Sequence, residues 1–186
     1  MTSTLYYANG DSYVGQVSTN LSGITLPNGY GTMTRPNSDY YSGNFFEGRR
    51  HGQGQSYSVS TQRHYNGGFV YDREEGFATI TCPGTFGGQR QYVGYMANNQ
   101  RHGRGTFWEI TTGGQTMMYE GLWVNDQLNG PGKYTVTDFG SMYCCEGNFV
   151  NGRLEGPGTY SNSPFGVKYS ANFQAGNVIP WNNWCY

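Results

Sequence analysis

The sequence predicts an all-β chain, a single elongated antiparallel sheet of tandem β-hairpins whose terminal repeats are degenerate. Three observations lead there. Glycine reaches 30 of 186 residues, more than twice the ordinary share of about 7%. Hydrophobic residues make up only 35% of the chain while aromatics reach 17%, so bulky rings have to be buried beside glycine, which implies thin, regularly spaced layers in place of a deep core. Finally, a short pattern with an alternation of two recurs along the chain, and that is strand spacing.

Taken in order, the first unit reads Tyr13, Gly15 and Val17, then an insertion from Leu21 to Pro27, then Gly29, Tyr30, Gly31 and Met33. The second is the fullest, with Tyr41, Gly43, Phe45, Gly48, His51, Gly52 and Gly54. The third keeps Tyr65, Gly67, Phe69, Gly76, Ala78 and Ile80, and the fourth Tyr92, Gly94, Met96, His102, Gly103, Gly105 and Phe107. The fifth follows with Tyr119, Gly121, Trp123, Gly130, Gly132 and Tyr134, and the sixth with Cys145, Gly147, Phe149, Gly152, Gly156, Gly158 and Tyr160. A worn seventh has Tyr169, Ala171, Phe173 and Gly176. The starts at 13, 41, 65, 92, 119, 145 and 169 are 24 to 28 residues apart, and such variation puts the variable piece in a loop. The organisation read from this is an array over 1–180 and an aromatic C-terminal cap over 181–186, with Trp181, Trp184 and Tyr186, since a terminal repeat has no neighbour to cover it.

Within a unit, counting the first aromatic as position zero, glycine or alanine falls at two and an apolar residue at four. In the second half, glycine falls at eleven, glycine or alanine at thirteen and usually an apolar residue at fifteen. Turn formers such as Glu47-Gly48, Asn98-Asn99 and Asn151-Gly152 lie between the halves, so each unit reads as a hairpin. Glycine beside a ring is a packing device, because a residue without Cβ lets the ring lie flat on the backbone. About fourteen strands at roughly 4.8 Å give a sheet on the order of 65 Å long, and its twist is expected to curl it into a groove lined by the aromatic face.

Two surface features are candidates for binding. The opposite face is polar, with Ser42, Asn44, Glu120, Glu146 and Asn148, but is interrupted by Tyr30, Phe77, Tyr95 and Leu122; contiguous exposed apolar residues mark interaction surfaces. The hairpin turns carry Arg49, Arg50, Arg73, Arg101 and Arg153, with Arg104 close by. Stacking would line these up roughly 9 to 10 Å apart, a row suited to an acidic peptide or anionic headgroups, although Glu47, Glu74 and Glu155 beside it weaken the field.

Composition removes other classes. A formal net charge of −1 gives no general attraction to nucleic acid. With no leader pattern at the start and no apolar run of membrane-spanning length, the expectation is a soluble, intracellular protein. Cys82, Cys144, Cys145 and Cys185 lack C-x-x-C spacing, and neighbours on a strand point to opposite faces, so reduced thiols are expected. His51 and His102 occupy equivalent positions of different units and do not converge on a metal. Lys133 follows Gly132 but precedes Tyr134, so no phosphate loop forms, and Glu74, Glu75, Glu120, Glu146 and Glu155 fall in turns or on the polar face. No cofactor and no catalysis are expected.

The residues from Tyr41 to Gly54 resemble the MORN repeat (membrane occupation and recognition nexus), whose pattern is Y-x-G-x-[FW]-x-x-G-x-x-H/N-G-x-G. The other units depart at single positions: Met96 for the ring, Asp72, Asn99 and Asp126 for the glycine, Glu75 for the histidine, Cys145 for the tyrosine. The resemblance implies a non-catalytic scaffold that binds other proteins in a microtubule-based or cortical cytoskeletal assembly. Its expected place is the cytoplasm and cytoskeleton, at the axoneme of a cilium or flagellum. Enzymes of the family have a catalytic domain after the repeats, and the residues from Asn177 on are too few for one. The alternative is a peripheral module binding acidic membrane phospholipids through the arginine edge. Against it stand just two lysines, Lys133 and Lys168, and no compact basic cluster. Free terminal sheet edges make a homodimer a further expectation.

Overall fold

Two-residue turns set the register of the molecule. Glu47 and Gly48 have φ 49 and 81, Tyr71 and Asp72 46 and 70, Asn98 and Asn99 51 and 66, Asn125 and Asp126 48 and 66, Asn151 and Gly152 49 and 79. Positive φ at both residues is the turn whose twist matches that of the strands it joins. The computed structural model describes residues 2–163 and 167–174. Among them the strands are β1 (Thr2–Tyr6), β2 (Ser12–Thr19), β3 (Thr25–Thr34), β4 (Tyr40–Phe46), β5 (Arg49–Ser58), β6 (Arg63–Val70), β7 (Arg73–Pro83), β8 (Gln89–Ala97), β9 (Gln100–Ile110), β10 (Thr116–Val124), β11 (Gln127–Asp138), β12 (Ser141–Val150), β13 (Arg153–Asn162) and β14 (Val167–Phe173). They form one antiparallel sheet in sequence order, as the hairpin pattern predicts. The insertion between Leu21 and Pro27 lengthens the β2–β3 hairpin beyond its neighbours. The array's expected last residues, 175–180, and the expected cap over 181–186 lie outside the described residues.

The inner face is a zip of rings on glycine. Gly94 of β8 lies opposite Gly105 of β9, and the Tyr92 ring covers both: a Cβ on Gly105 would sit 2.5 Å from its Cε2. The register slips between Gly94 and Met96, where Tyr95 alone faces the three residues 102–104 of β9, a bulge in the return strand, and the Tyr92 hydroxyl donates to the Tyr95 carbonyl at 2.8 Å. The same bond recurs from Tyr13 to Gln16, Tyr41 to Asn44, Tyr65 to Gly68 and Tyr119 to Leu122. Rings at position four then wedge between successive tyrosines. Phe45 meets Tyr13 and Tyr41 edge-on at 5.1 and 5.0 Å, Phe69 meets Tyr41 and Tyr65, and Trp123 meets Tyr92 and Tyr119. Each such pair contributes about 0.5–1.5 kcal/mol beyond its buried area. Tyr13, Tyr92, Tyr119 and Phe107 are thereby fully buried in a sheet one layer thick.

The thiol expectation is corrected at one position. Cys82, buried on β7, is disulfide-bonded, whereas Cys144 and Cys145 are free. Spacing along the sequence does not decide which thiols a fold brings together.

Candidate functional site

Phe77 of β7 stands opposite Tyr95 of β8 on the outer face, their rings edge-to-face at 5.5 Å and each more than half exposed. Leu122 of β10 stands opposite Arg104 of β9. Gly130 makes room for Leu122, whose methyl would lie 3.0 Å from a Cβ there, while a Cβ on Gly103 would meet that of Tyr95 at an ordinary 3.5 Å. Both glycines have positive φ, 68 and 95, which L side chains avoid.

Phe77, Tyr95, Arg104 and Leu122 line a groove of about 950 Å³ on the outer face. One wall is apolar: Phe77, Tyr95, Leu122, Pro131 and Pro157. The other is charged: Glu120 faces Lys133 across β10 and β11, and Lys133 faces Glu146 across β11 and β12, with Lys168 of β14 bonded to Glu146 at 2.9 Å. Between them run Gly105, Gly121, Gly132 and Gly147. The groove was expected on the aromatic face. That face has smaller hollows, of about 370 Å³ beside Ile80, Met96 and Arg101 and about 350 Å³ beside Tyr41, Phe45 and Arg50, and the outer groove comes in addition to them.

Of the four expected patch residues, Phe77, Tyr95 and Leu122 line one groove. Tyr30 does not join them. It sits on β3, four strands from β7, where its hydroxyl meets the Ser42 hydroxyl at 3.3 Å. Pro131 and Pro157 escaped the sequence reading although they occupy position twelve of their units, as Phe77 does.

The arginines divide. Arg49, Arg73 and Arg153 are exposed at position eight. Arg50 and Arg101, at position nine, turn onto the inner face instead, because they pair across the hairpin with the inward Phe45 and Met96. Leu128 and Leu154 hold the same position and are buried. The guanidinium of Arg50 lies 4.9 Å from the Phe69 ring and pairs with Asp72 at 3.2 Å; that of Arg101 lies 4.2 Å from Trp123 and pairs with Asp126 at 2.8 Å. The expected edge row therefore shrinks to three exposed arginines, with Gln100 and Gln127 at the equivalent places between Arg73 and Arg153.

The second turn residue also ties each unit to the one before. Its amide donates to the preceding unit's position-nine carbonyl: Asp72 to Arg50, Asn99 to Glu74, Asp126 to Arg101, Gly152 to Leu128. Where that residue has a side-chain oxygen, the bond is returned, from the amides of Arg50, Glu74 and Arg101 to Asp72, Asn99 and Asp126.

The carboxylates on the inner face serve structure. Glu74 takes two 2.7 Å bonds from Arg63. Burial pushes Glu109 up, but bonds from the Thr85 hydroxyl and amide and the Arg90 guanidinium outweigh it and hold the carboxyl below its ordinary value. Among the described residues no group of three His, Cys, Asp or Glu side chains is placed to hold a metal, and no helix is long and apolar enough to cross a membrane.

The family model for the MORN repeat matches residues 26–40, 41–60, 65–84, 92–109, 119–139 and 145–163. Five of these matches begin on the first residue of a unit as read from the spacing. No curated protein matches the chain significantly.

Proposed function

The chain belongs to the MORN-repeat family, and from that premise we propose that it is a scaffold that holds a partner protein on the outer face of its sheet, within a cytoskeletal assembly of the cytoplasm, the axoneme of a cilium or flagellum. MORN repeats are non-catalytic modules that bind proteins or membranes. The observation that carries the protein-binding reading is the outer groove, in which Phe77, Tyr95 and Leu122 from three hairpins are brought together. An apolar centre with a charged rim is the anatomy of a protein interface. The axonemal assignment draws on the resemblance to cytoskeletal members of the family.

A second reading has one observation in its favour. Beside Arg49 and Arg73, the hairpin tips expose Phe46, Val70 and Tyr71, apolar and cationic groups on one edge as an acidic phospholipid surface would require. Fractionation of ciliated cells separates the two. The scaffold stays with the detergent-insoluble cytoskeleton and leaves at high salt, and the Phe77→Ser/Leu122→Ser variant is no longer retained. Release by mild detergent, with salt-sensitive binding of the purified protein to phosphatidylserine vesicles, supports the membrane reading instead.

A further inference from the structure

We propose that the outer groove takes one amphipathic α-helix of the partner, lying across the strands with its apolar stripe on Phe77, Tyr95 and Leu122 and a charged flank against Glu120, Lys133 and Glu146. The inference rests on the reading of this groove as the docking surface and names what docks there.

Pitch is the first argument. Neighbouring strands are about 4.8 Å apart, so the groove presents a new side chain at that interval along its length. A helix returns to the same face every turn, about 5.4 Å. An extended chain places same-side residues about 6.7 Å apart and slips by nearly 2 Å at each strand. The apolar wall, from Phe77 on β7 to Pro157 on β13, crosses six spacings, roughly 29 Å, the length of a helix of about nineteen residues.

The second argument is the arrangement of the walls. Leu122 and Glu120 lie two residues apart on β10, pointing to the same face, so an apolar row and a charged row run side by side across the strands. An occupant that meets both needs one apolar and one charged flank, as an amphipathic helix has. The third is charge. Glu120, Lys133 and Glu146 stand in register on consecutive strands, and they call for a basic, an acidic and a basic residue on successive turns, at i, i+4 and i+7, the last taking the place of the exposed Lys168 that bonds Glu146 at 2.9 Å. Arg104, exposed on β9 and facing Leu122, adds a place for one acidic residue within the apolar stripe.

The test uses the purified full chain and a synthetic peptide of about nineteen residues with a leucine stripe, one acidic residue in it, and a Lys, Glu, Lys flank, followed by fluorescence anisotropy. One control peptide has the flank reversed to Glu, Lys, Glu; another has two central prolines that forbid a helix. The designed helix is expected to bind, the reversed peptide roughly tenfold more weakly and the proline peptide not at all. Lys133→Glu should shift the preference toward the reversed peptide, Leu122→Ser should weaken binding roughly tenfold, and Arg153→Ser, on the turn edge, should leave it unchanged. Equal binding of the proline peptide overturns the helix, and equal binding of the reversed peptide overturns the charge match. If no peptide binds yet Leu122→Ser still releases the protein from the cytoskeleton, the helix falls and the docking surface stands. If neither responds, both fall.

Discussion

Arg101 and Asp126 join consecutive hairpins through four contacts: the Asp126 amide bonds the Arg101 carbonyl, the Arg101 amide and Nε bond Asp126 Oδ1, and Nη2 bonds the Asp126 carbonyl. The Arg101 side chain is 3% exposed, so removal of the carboxylate takes an ion pair away from a buried charge. Asp126→Ala is expected to cost about 3 kcal/mol in urea unfolding, whereas Arg101→Met, which keeps an apolar stem against Trp123, costs about 1 kcal/mol. Equal losses would contradict this role for the pair.

Glycine at position thirteen is a matter of space. Gly105→Ala drives a methyl into the Tyr92 ring and is expected to lower stability by about 3 kcal/mol. Gly114→Ala, at a loop position with φ +82 and open surroundings, is expected to cost about 1–2 kcal/mol from backbone strain alone. Thermal unfolding of the two variants checks the order.

The tyrosine zip is sensitive to alkali. Burial raises Tyr41 and Tyr134 from 10.0 to about 12, and Tyr65, Tyr92 and Tyr119 are also raised by burial. With the folded value above the unfolded one, the unfolded chain loses its protons first. The stabilisation is complete below pH 10, declines above it, and is lost as the pH rises through the folded values. Tyrosinate absorbance should therefore appear together with loss of the β-sheet circular dichroism signal; titration of these tyrosines in a fully folded chain would contradict the packing.

Acid acts on the loop before β8. The lowered Glu109 contributes stability that is present above its unfolded value near 4.5 and lost as the pH falls through the folded one. Glu109→Gln should flatten the acid side of the stability profile, read as urea midpoints against pH.

How far the sequence reaches is clearest at positions four and nine. Tyr41, Gly43 and Phe45 alternate in plain view, and the two-residue turns announce themselves, so strands, turns and rings were legible. Arg50 and Arg101 were not. Their face is set by pairing with Phe45 and Met96, and that pairing depends on a bulge between positions two and four that no residue type announces. Asp72, Asn99 and Asp126 look like departures from a glycine turn until the preceding hairpin is alongside, when their side chains return its amide bonds. The outer groove went unforeseen, because it depends on which side chains several hairpins bring together on that face. Phe77, Tyr95 and Leu122 were found by parity alone, while Tyr30 shares their parity but lies on a distant strand.

The central claim, that the outer groove holds a partner protein, is tested most directly by placing a photo-crosslinking amino acid at position 122 or position 73 and irradiating intact ciliated cells. The account predicts that residue 122 captures an axonemal protein through a discrete segment and that residue 73, on the turn edge, captures none. Crosslinks from residue 73 alone, or to lipid, would contradict it.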